Sequence, residues 1–116
     1  MSSTMNVKTE MKDKTALKEA CKRLGIEGRE GSFKLYASEE EGFGVFLPEW
    51  RYPVVLKPNG VVSYDTYHGQ WGDEKELSKL TAYYGVEKAK LEARKLGHTF
   101  SESVTKQGEL KLVVYM

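Results

Sequence analysis

The 116-residue sequence predicts an α+β two-layer sandwich: a mainly antiparallel sheet with two helices on one face. Three observations predict it. Two stretches repeat apolar residues at helical spacing between capping residues, several shorter stretches alternate apolar and polar residues with period two, and four of those are joined in two pairs by hairpin-type turns. Two amphipathic helices are too few to cover both faces of such a sheet, so they are expected to share one.

Residues 1–4 are small and polar and are expected to form a disordered tail ahead of a single domain spanning 5–116. Val7, Thr9 and Met11 alternate with Lys8 and Glu10, the pattern of a half-buried strand. Asp13 then offers an N-cap. Leu17, Ala20, Cys21 and Leu24 recur on one face, and Gly25 supplies the left-handed residue that ends a helix. Glu27 to Gly31 reads as a charged, glycine-containing turn, followed by a strand over Ser32 to Ala37. Ser38 to Gly42, with three consecutive glutamates, reads as a solvated loop. Phe43 to Pro53 is apolar but interrupted by Gly44, Pro48 and Pro53, which suits an edge strand or a packed loop better than a central strand.

Val54 to Lys57 and Val61 to Tyr67 flank Lys57-Pro58-Asn59-Gly60, where proline suits the second turn position and glycine the positive φ that follows. Asp73 and Glu76 have the spacing of a cap and its third-position acid, opening a second helix that Gly97 closes. Leu77, Leu80, Tyr84 and Leu91 share one face of that helix, while Ala82, Val86, Ala89, Ala93 and Leu96 lie roughly opposite. It is therefore apolar on two sides or kinked near Gly85. Thr99 to Val104 and Glu109 to Tyr115, joined through Lys106-Gln107-Gly108, complete the chain as a hairpin.

Composition narrows the function classes. Eighteen basic against 17 acidic side chains leave a net charge of +1, without the basic excess of a dedicated nucleic-acid backbone binder. Cys21 is the single cysteine, which excludes an intrachain disulfide and a multi-cysteine metal site. No apolar run approaches the roughly 20 residues of a membrane-spanning helix, and Met1-Ser-Ser-Thr has no signal-peptide pattern, so the expected location is cytoplasmic.

His68 and His98 lack any metal-ligand spacing, and no cofactor or metal is expected. Cys21 falls on the apolar stripe of the first helix, where it acts as a small hydrophobe. Glu39 to Glu41 and the acids Asp73, Glu74 and Glu76 are accounted for by a loop and a helix N-terminus. No catalytic constellation is present, and the expectation is a non-enzyme.

The unusual feature is aromatic. Trp50, Tyr52, Tyr64, Tyr67, Trp71, Tyr83 and Tyr84 crowd the middle of the chain with Arg51, Lys57 and His68 among them. Tyr64 and Tyr84 suit the core, and Trp71 the junction into the second helix, whereas Trp50 and Tyr67 are expected to be exposed. Trp50, Arg51, Tyr52, Tyr67, His68 and Trp71 are the candidate interaction surface.

The run Asn6 to Asp13, together with Ala16-Leu17, Leu24-Gly25, Trp71-Gly72, Leu80-Thr81, Tyr84, Ala93, Gly97 and Gly108 to Val114, resembles a family of small uncharacterised proteins. Its members are encoded in red-algal plastids and cyanobacteria, with relatives in other bacteria and in viruses. The similarity runs from about Met5 to the C-terminus and is poorest over Ser32 to Pro53. It implies an adaptor or partner-binding role, with an AAA-type ATPase as a partner, and supplies no catalytic residue. The expected function is thus a protein-interaction module with an unidentified protein partner or a second copy of itself. The alternative is single-stranded nucleic-acid binding, with Tyr36, Tyr52, Tyr64 or Tyr67 stacking on bases beside Lys34, Arg51 and Lys57.

Overall fold

A computed structural model describes residues 4–116. The expected tail falls outside the described residues except for Thr4, whose hydroxyl lies 3.0 Å from that of Ser38 and donates to Asp65 at 3.2 Å. The elements in chain order are β1 (Met5–Lys8), α1 (Lys14–Leu24), β2 (Glu27–Lys34), β3 (Glu39–Phe46), β4 (Val54–Leu56), β5 (Val61–Tyr64), α2 (Glu74–Lys95), β6 (Thr99–Val104) and β7 (Leu110–Tyr115). The first five strands form one sheet in the order β1-β5-β4-β3-β2, every neighbouring pair antiparallel. The α+β class is as the sequence predicts. The last hairpin does not join that sheet; β6 and β7 form a two-stranded sheet of their own.

Local chemistry accounts for most element ends. The Asp13 side chain accepts from the Ala16 amide, and Gly25 closes α1 at φ 68° while its amide reaches back to the last carbonyls. Asp73 caps α2 by accepting from Lys75 N–H at 2.9 Å. The Lys57–Gly60 turn closes through Gly60 N–H to the Lys57 carbonyl, with Gly60 at φ 89°. α2 runs as one helix through Gly85, from Glu74 to Lys95.

The region Glu27 to Phe46 corrects the sequence reading. The charged turn at Glu27–Gly31 and the solvated loop at Ser38–Gly42 are instead the paired lengths of β2 and β3, and β3 is an interior strand between β2 and β4. Charged residues are tolerated because β2 lies at the sheet edge, where both faces reach solvent. The glycines give rings their space: a Cβ on Gly44 would meet the Phe33 ring at 2.5 Å, and one on Gly28 the Phe43 ring at 2.6 Å.

Alternation along the strands divides the apolar residues into two clusters. Phe43, Val45, Val54, Leu56, Val62 and Tyr64 pack with Ala16, Leu17, Ala20 and Cys21 of α1 and with Leu80 and Tyr84 of α2. Phe33, Leu35 and Val55, with Phe46 and Tyr52 beside them, form a smaller cluster. Tyr84 also ties the layers together, its hydroxyl accepting from the Asp13 amide at 2.9 Å.

Candidate interaction surface

The six residues singled out from the sequence divide between two places. Trp50 is half-buried against the helix-side core, 5.9 Å from the Tyr64 ring, and its indole N–H donates to the Asp73 carbonyl at 3.1 Å. Its ring occupies the space a side chain on Gly72 would need. Trp50, expected to be exposed, is thus the plug at the junction into α2, the role the sequence suggested for Trp71.

Trp71 is the hub of a surface cluster. Tyr67 stacks on it with ring centroids 4.8 Å apart and planes 20° apart, Tyr36 lies at 4.9 Å, and Tyr52 meets it edge-on at 5.4 Å. The Arg51 guanidinium sits 5.3 Å from the Trp71 centroid and 5.8 Å from that of Tyr52. His68 is exposed at the margin, 5.9 Å from Tyr67. Tyr67, Tyr52 and Trp71 are half-buried and Tyr36 is 54% exposed. Each such ring pair adds about 0.5–1.5 kcal/mol beyond its buried area, so the rings hold one another in place.

Three segments, distant in sequence, position this cluster. Arg51 N–H donates to the Trp71 carbonyl at 2.8 Å and Trp71 N–H to the Thr66 carbonyl at 2.8 Å. Between those contacts the chain makes a left-handed turn, with φ 48° at Tyr67, 56° at His68 and 89° at Gly69. For a residue with a side chain that conformation costs about 1–2 kcal/mol. The third segment is held from below: Asp65, fully buried at the end of β5, accepts from Tyr36 N–H at 3.1 Å. Tyr36 is the member that the sequence-based surface omits, because its 35-residue separation from Trp71 leaves no local pattern linking them.

Other candidates are placed elsewhere. Tyr64 is buried on the helix side of the sheet, which removes it from any base-stacking face. Lys57 pairs with Glu40 at 2.6 Å, and that contact holds the Glu40 carboxyl below its ordinary range. Cys21 is buried, which pushes its thiol up to about 11. His98 completes the end of α2, its amide donating to the Ala93 carbonyl at 2.8 Å. Among the described residues no group of three or more His, Cys, Asp or Glu could hold a metal ion, and no helix is long and apolar enough to cross a membrane. Comparison with protein-family models, curated proteins and solved structures finds no match.

Proposed function

We propose that this chain is a non-enzymatic protein-interaction module whose contact surface is the cluster of Trp71, Tyr67, Tyr36, Tyr52 and Arg51. The observation that carries this reading is that four aromatic rings and a guanidinium from three chain segments converge on one partly uncovered patch, held on a strained left-handed turn. Tyrosine, tryptophan and arginine combine a large rigid area with polar atoms at the rim, which suits a protein contact. Base stacking is less well served, because Tyr67 lies nearly parallel against one side of Trp71 and the Arg51 guanidinium also covers the ring.

The family resemblance makes an AAA-type ATPase the first partner to try. The test is capture with the wild-type chain and with Tyr36→Ala and Arg51→Ala, both at exposed positions, after circular dichroism has verified their fold. A protein retained by the wild type and weakened about tenfold or more by either variant, with little response to salt, supports the module. Recovery of nucleic acid with an affinity that falls steeply with salt supports the stacking alternative instead.

A further inference from the structure

The β6–β7 hairpin has one face set toward the helices, where Phe100, Glu102, Leu110 and Leu112 are half-buried. On the other face Thr99, Ser101, Ser103, Lys111, Val113 and Tyr115 are all exposed. Its root is the short link Leu96-Gly97-His98, with Gly97 at φ 74° and Leu96 67% exposed. At its tip, Gly108, Glu109 and Leu110 face Lys79, Ala82, Tyr83 and Val86 across a cleft of about 450 Å³. The hairpin is thus joined at the root and open at the tip.

The middle is held by charge. Glu102 accepts from Arg23 of α1 at 2.5 Å through one carboxylate oxygen and from Lys90 of α2 at 2.8 Å through the other. Glu87 of α2 completes the ring, 3.4 Å from Arg23 and 3.5 Å from Lys90. Glu87 and Lys90 are nearly buried, so the charges depend on one another. Arg23 also lies over Tyr83, and Phe100 of the hairpin sits near Lys90 and Arg94.

We propose that the β6–β7 hairpin is a hinged flap, latched to the two helices by Glu102, that undocks from α2 as a unit while the five-stranded sheet stays folded. Opening bares the flank of α2 at Tyr83 and Val86, which are half-buried beside the hairpin tip. Such an opening is favoured where a unit carries its own backbone pairing and is attached by few apolar contacts. Salt acts on this latch through the Arg23–Glu102 pair, whose side chains are 31% and 22% exposed, whereas the apolar core under the main sheet does not depend on charge.

Amide hydrogen exchange at neutral pH tests this. The comparison is between wild type at low and at high sodium chloride, Glu102→Gln, and Ser103→Ala as a control on the outward face of the same strand. The expected result is exchange about five- to tenfold faster across 99–104 and 110–115 in Glu102→Gln and in high salt. Rates at 54–64 stay unchanged and Ser103→Ala matches wild type. The proposal is overturned if hairpin and main-sheet amides open at one common rate, if neither salt nor Glu102→Gln changes the hairpin rates, or if Glu102→Gln unfolds the whole chain. The salt comparison needs no variant.

Discussion

Gly44 and Phe33 show how closely single positions constrain this sheet. An alanine methyl at 44 cannot coexist with the Phe33 ring where it lies, so the ring or the strand must move. Gly44→Ala is expected to destabilise the fold by about 1–3 kcal/mol in urea denaturation, the usual range for overpacking. The opposite sign is expected at His68, which is exposed and carries a positive φ that glycine adopts freely. His68→Gly relieves that strain at the cost of a more flexible unfolded chain, for a net stabilisation of about 0.5–1 kcal/mol. If the turn matters to partner binding, the same variant gains stability while losing affinity. Cys21 supplies a third check: with its thiol near 11, only about one molecule in 10⁴ carries the thiolate at neutral pH. A thiol reagent is therefore expected to label the native protein slowly and the urea-unfolded chain fast.

The helices meet at a carboxylate that serves both. Asp13 caps α1 and also accepts from Lys88 of α2 at 2.9 Å; the Lys88 bond, with the Ala16 amide, lowers its pKa. Glu102 is lowered in the same sense, chiefly by its bond from Lys90 and also by Arg23, against burial that opposes it. A carboxyl depressed in the folded state contributes stability that is present above its unfolded value and is lost as pH falls through the folded one. Melting temperature is thus expected to hold steady above about pH 5 and to drop below about pH 4, less steeply in Glu102→Gln. Asp13→Ala should cost about 1 kcal/mol through the cap alone, more than Asp13→Asn, which keeps an acceptor for the Ala16 amide. These ends were legible in the sequence because a cap and a Pro-Asn-Gly turn act over three or four residues. β2 and β3 were not, since Glu27–Gly31 and Glu39–Gly42 are charged and glycine-bearing, and what the glycines make room for, the Phe43 ring at Gly28 and the Leu56 carbonyl at Gly42, is distant in sequence. The surface was half legible: its aromatic composition stood out, but which tryptophan plugs and which lies in the surface cluster is decided by the Trp50–Gly72 and Trp71–Tyr36 contacts, which no local pattern links.

The strands of the described residues lie in two separate sheets, and both tryptophans belong to the larger body. If the flap opens alone, tryptophan fluorescence does not see it, whereas far-ultraviolet circular dichroism does. Denaturation curves from the two probes are therefore expected to separate, with the dichroism signal falling first, and superimposable curves would argue for one cooperative unit. The small sheet has a further consequence for behaviour in concentrated solution. One edge of β7 pairs with β6 and the other pairs with no strand among the described residues, along Leu110-Lys111-Leu112-Val113-Val114-Tyr115, in which Val113, Val114 and Tyr115 are exposed. Lys111 is the only charge on that strand. It stands as a gatekeeper against edge-to-edge growth of fibrils, and Lys111→Thr is expected to raise light scattering on storage while leaving the melting temperature nearly unchanged.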